Sequence, residues 1–148
     1  MRVLTLLFLV MLVLTCSPTD AQEVRLPKDV TVHAPPADLP PAVAGFAGRF
    51  EGRWNGGVPH ILVVRKISAT KKTGVYEAEV VYGWGDSSGG GTKAGYREVD
   101  AEIVNGELVV PIQRVTVRYK LGAEGKSVDG IWQGTGAQYF GTFVRSSQ

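Results

Sequence analysis

The sequence predicts an all-β domain: an eight-stranded antiparallel up-and-down barrel with a short N-terminal helix. Three observations predict it. Apolar residues recur at period two from Phe46 to Val144, the mark of half-buried strands. Glycine-bearing turn signals interrupt that pattern at short intervals, so sequential strands pair with their neighbours. No sustained helical period interrupts the strands.

The first strand runs from Phe46 to Trp54: Phe46, Gly48, Phe50, Gly52 and Trp54 alternate with Ala47, Arg49, Glu51 and Arg53. Ile61 to Ile67 is the second, and Ser68 to Gly74 a hairpin loop with Lys71-Lys72 at its solvated tip. Val75 to Trp84 is the third. Gly85 to Gly95 reads as a long, glycine-rich, mobile loop that would act as a lid. Tyr96 to Val104 and Glu107 to Ile112 flank Asn105-Gly106, a strong hairpin signal because both turn positions need positive φ. Val115 to Leu121, Val128 to Gln133 and Gln138 to Val144 complete the set. Eight strands over about a hundred residues can close into a barrel, which removes exposed edges. An open sandwich is the alternative.

The chain of 148 residues suffices for one domain. Residues 1–21 read as a secretory signal: Arg2, an apolar run from Val3 to Leu14, then Thr19-Asp20-Ala21 before the expected cleavage. The run is too short for a stable membrane span. The expectation is an exported chain, periplasmic or secreted. Cys16 is the one cysteine; an alternative makes it the lipidated first residue of a lipoprotein, and only then would a membrane be a partner. Without residues 1–21, Lys plus Arg falls from 16 to 15 and Asp plus Glu from 14 to 13, so the net charge stays +2. That argues against a nucleic-acid partner.

Residues 22–44 carry Pro27, Pro35, Pro36, Pro40 and Pro41 and read as an extended, poorly packed arm. A short helix is expected near Asp38 to Ala44, with Asp38 as N-cap and Gly45 as its end, plugging one end of the barrel. Residues 45–148 form the barrel.

Gly52-Arg53-Trp54, on the first strand of an eight-stranded meander, resembles the calycin superfamily, which includes lipocalins and avidins. The resemblance implies structural closure: Trp54 shuts one end, with Gly52 beside it and Arg145 packed across its indole. Gly52 to Gly56, Pro59 to Val64 and Val81 to Asp86 are also similar to small exported bacterial domains found alone or beside hydrolase domains, which imply no activity.

Chemistry-bearing motifs are sparse, and the sequence does not predict an enzyme. Gly85-Asp86-Ser87-Ser88-Gly89-Gly90 is similar to the nucleophile segment of trypsin-like proteases, but an extra serine breaks its spacing. His60 reads as a surface-turn histidine. Glu77 and Glu79, with Glu98, Asp100 and Glu102 beside them, alternate with apolar residues and so face solvent, with Lys66, Arg97 or Lys120 as neighbours. With two histidines and one cysteine, no metal site or cofactor is expected. The aromatics are the stronger lead. Tyr82 and Trp84, beside the glycine-rich loop, with Tyr119, Trp132 and Tyr139, are the candidate ligand-binding residues. The resulting expectation is a lipocalin-like binding module for a small apolar or amphipathic ligand, or a peptide. The alternatives are a non-catalytic structural or interaction domain that meets an envelope protein, and a hydrolase-associated accessory domain or cryptic enzyme.

Overall fold

The computed structural model describes residues 23–147; residues 1–21, read above as a secretory signal, and Cys16 lie outside them. The chain forms a closed eight-stranded barrel in which each strand pairs antiparallel with the next and β8 returns to β1. The strands are β1 Gly48–Arg53, β2 Pro59–Ala69, β3 Val75–Trp84, β4 Gly95–Val104, β5 Glu107–Ile112, β6 Val115–Leu121, β7 Ser127–Gly134 and β8 Ala137–Ser146. Before them lies one short helix, α1, Pro41–Ala44. The up-and-down order read from the sequence is the order observed.

Period two explains the core. Phe50, Leu62, Val64, Val80, Leu108, Val110, Val117, Tyr119, Val128 and Phe143 point inward and are buried. Many residues between them, such as Glu51, Glu79, Arg118 and Lys120, carry charge on the outer face. Asn105 and Gly106 both have positive φ, at 53° and 76°, as their hairpin requires. A bulge at Arg65 shifts the β2–β3 register between Val64 and Lys66, bending β2 and sharpening its twist.

The arm is extended, as expected, but it is packed. Val24, Leu26, Val30 and Val32 lie on Ile61, Val63 and Val81, on the outside of β2 and β3. The His33 N–H donates to the carbonyl of Arg65 at 2.7 Å. The cause is legible: Ile61-Leu62-Val63-Val64 is apolar without alternation, so both faces of this strand need cover.

One end of the barrel is closed by α1 and its flanks. Leu39, Val43 and Phe46 enter the core. Pro40, not Asp38, occupies the N-cap position, and no side chain caps this helix; the Pro40-Pro41 pair starts a single turn too late for Asp38 to reach its N–H groups. Gly45 ends it, as expected.

Arg145 completes that closure, but over a different ring. Its guanidinium lies 4.5 Å from the Phe50 centroid and donates to the carbonyls of Gly125, Ala47 and Gly45 at 2.9, 2.7 and 2.6 Å. The expected stacking on Trp54 is corrected by register: Arg145 is the direct β8 partner of Phe50, while Trp54 follows β1 at the opposite end. Desolvation lowers the Arg145 pKa, and the three carbonyls compensate the buried part of its charge. Gly52 lies toward the other end, paired with His60 and Phe143, where a Cβ would stand 2.9 Å from the Phe143 ring.

Candidate functional site

The opposite end of the barrel, where the β1–β2, β3–β4, β5–β6 and β7–β8 connections meet, is open. It holds a cavity of about 1010 Å³. Trp54, Tyr82, Trp84, Trp132 and Tyr139 line it, with Arg97, Ile112, Arg114 and Val115. All three tryptophans of the chain therefore face one space.

Tyr82, Trp84, Trp132 and Tyr139 are thus brought together as expected. Tyr119, the fifth candidate, is fully buried below them and is absent from the cavity lining. Trp54, expected as a closing residue, forms part of the cavity floor instead.

Glycines on neighbouring strands, or two residues along the same one, create room for the rings. Trp84 lies over Gly95, its cross-strand partner, where a Cβ would stand 2.9 Å from the indole. Trp132 covers Gly134 so closely that any Cβ there would collide with it. Trp54, Tyr119 and Phe143 converge on Gly130, where a Cβ would come within 2.9 Å of all three. Glycine at these positions lets a ring approach the strand more closely than any Cβ would allow. Trp132 and its β7–β8 partner Tyr139 pack with ring centroids 5.3 Å apart, and 40% of Tyr139 stays exposed at the rim.

The floor is organised by His60, which sequence reasoning placed on the surface. It is 1% exposed. Its Nδ1–H donates to the Gly83 carbonyl at 2.6 Å, which leaves Nε2 to accept from the Tyr119 hydroxyl at 2.8 Å. A carbonyl can only accept, so these partners select the neutral Nδ1–H tautomer. Burial pushes the imidazole pKa down to about 3, with the bond to Gly83 opposing. Burial likewise raises the hydroxyl pKa values of Tyr82 and Tyr119. The His60 ring stands 4.4 Å from Tyr82, 5.3 Å from Trp54 and 4.8 Å from Phe143, so it locks the floor aromatics together. The missed signal is parity: His60 shares a strand face with Leu62 and Val64.

The loop between β3 and β4 is tethered, where the sequence suggested a mobile lid. Asp86 accepts from the Ala94 N–H at 2.7 Å, Ser87 Oγ from Thr92 N–H at 2.9 Å, and the Trp84 indole donates to the Lys93 carbonyl at 2.8 Å. Asp86 and Ser87 therefore serve the turn, and Thr92 is held at the cavity rim.

The carboxylates Glu77, Glu79, Glu98, Asp100 and Glu102 lie on the outer face, as expected. Lys66 reaches Glu79 at 3.3 Å, and Arg65 reaches Glu98 at 3.1 Å. Two expected neighbours are elsewhere. Lys120 pairs with Glu107. Arg97 shares the inward row of β4 with Val99, Ala101 and Ile103, which puts it across from Tyr82. Among the described residues, no group of three or more His, Cys, Asp or Glu is placed to hold a metal ion, and no helix is long and apolar enough to cross a membrane. Comparison with protein-family models, curated proteins and solved structures finds no match.

Proposed function

We propose that this protein is a binding module that takes a small apolar or amphipathic ligand into the open end of its barrel. One observation carries the reading: five aromatic side chains surround a cavity of about 1010 Å³, a size suited to a small organic ligand. The lining is mostly apolar yet opens to solvent at the barrel end, with Arg97, Gln113 and Arg114 among the few polar groups, the mix expected of a small-molecule site. The arrangement supports holding and orienting a ligand. Both ring nitrogens of His60, the one buried histidine, are already engaged, which supports a binding role over acid–base chemistry.

Because all three tryptophans line the cavity, intrinsic fluorescence reports directly on occupancy. Titration with a lipophilic probe should shift or quench the emission saturably, with one site per chain. An unchanged spectrum across the solubility range of such probes refutes the reading.

A second reading, a non-catalytic interaction domain, draws support from the outer face of β7 and β8. There Ile131 and Phe140 are cross-strand partners, and Phe140 and Val144 are 47% and 60% exposed. We further propose export through residues 1–21, with a barrel of calycin type. Mass spectrometry of the mature N-terminus decides the processing: a chain beginning at Gln22 supports simple cleavage, and a lipidated Cys16 supports the tether.

A further inference from the structure

We infer that the ligand is an anionic amphiphile: a flat apolar body held among Trp54, Tyr82, Trp84 and Trp132, with one carboxylate, sulfonate or phosphate group gripped at the rim by Arg97 and Arg114. The inference rests on the cavity being a ligand site and adds the chemical class of its occupant.

Two arginines stand on the inward rows of the strands, and their surroundings differ. Arg145, at the closed end, spends its guanidinium on three backbone carbonyls and the Phe50 ring. Arg97, at the open end, sits on the row of Val99 and Ala101 and lines the cavity. Arg114 joins it from the two-residue β5–β6 turn. None of the seven ion pairs among the described residues involves Arg97 or Arg114. The cavity lining holds no aspartate or glutamate. Both arginines are exposed at the rim of an apolar space, and with no acid among the lining residues their donors are free to meet a ligand that brings the negative charge with it.

Strand pairing places the two arginines around one opening. β4 and β5 pair only from Glu102↔Val109 to Val104↔Glu107. Beyond Val109, β5 carries Pro111, which has no N–H to offer a neighbour. The upper parts of both strands thus run unpaired with each other toward the rim, with Arg97 on one flank and Arg114 on the other. A guanidinium presents a planar fork that matches a carboxylate, sulfonate or phosphate with two donors. A neutral apolar ligand would fill the aromatic cavity and leave both forks unused.

The test uses two probes on the full chain. Anilinonaphthalene sulfonate and N-phenyl-1-naphthylamine share one aromatic body, and only the first carries an anion. The expected result is saturable binding of both, with the sulfonate tighter by about tenfold or more at low salt. Arg97→Gln and Arg114→Gln should each weaken the sulfonate by about tenfold and leave the neutral probe unchanged. Arg118→Gln, on the outer face and paired with Glu107, should change neither. Equal affinity for the two probes, or equal loss of both in the arginine variants, overturns the anionic class while sparing the cavity. Failure of both probes to bind or to perturb tryptophan emission overturns the cavity reading and this inference with it.

Discussion

The two ends of the barrel are built from the same alternating strands and finished in opposite ways. At the closed end, Leu39, Val43 and Phe46 fill the interior, and Arg145 ties three carbonyls together above Phe50. At the open end the aromatics are larger and more numerous, yet they line a cavity open to solvent, several of them packed where a glycine leaves no Cβ. Aromatic content therefore does not by itself distinguish core from pocket. What sits opposite each ring does.

The comparison predicts that the closed end governs stability and the open end governs binding. Phe50→Ala should cost about 3–5 kcal/mol in denaturant unfolding, the usual range for a fully buried ring. Trp132→Ala, whose ring is partly in solvent, should cost about 1 kcal/mol and yet abolish binding of both aromatic probes. Equal stability losses from the two substitutions would break the division.

His60 sharpens the contrast through pH. Its folded pKa, about 3, lies below its ordinary 6.5. Between these values the unfolded chain binds the extra proton, so stability is fully present above pH 6.5 and is lost as pH falls toward 3. The slope approaches about 1.4 kcal/mol per pH unit for one proton. His60→Gln should lower that slope by one proton's worth, read from urea midpoints at pH 7 and pH 4.5. Parallel curves for the two proteins would count against a neutral His60 beneath the cavity floor.

Arg145→Ala should cost about 1–2 kcal/mol, through lost carbonyl contacts and the cation–π contact with Phe50. Arg145→Lys should recover less than half, since an ammonium cannot reproduce the planar fork. Neither change should alter probe affinity at the far end. The smallest effect is expected at Asp86→Ala, below about 1 kcal/mol globally. It should speed amide exchange at Ala94, whose N–H loses its acceptor, and so reveal whether tethering of the β3–β4 loop shapes the rim.

Much of this protein was legible before any coordinate. Period two and the Asn105-Gly106 turn define strands and a meander, because side-chain direction alternates strictly along extended backbone. Tyr82 and Trp84 can be read beside the glycine-rich β3–β4 connection, and Trp132 and Tyr139 flank the β7–β8 connection, which the alternation of a meander puts at the same end; the depth of Tyr119 is not legible that way. His60 and Arg97 are the residues whose polarity points to the surface while their parity points inward, since each shares a strand face with apolar neighbours.

The sequence by itself determined the alternation, the strand order and the apolar faces of β2, because these follow from local geometry and from what must leave water. Tertiary structure decided the rest. Register put Arg145 over Phe50 and freed Trp54 for the cavity floor. Closure of β8 onto β1 brought Trp132 and Tyr139 across from Tyr82 and Trp84. A void depends on what faces each ring across the barrel, and residues far apart in the chain meet there only once the sheet has closed.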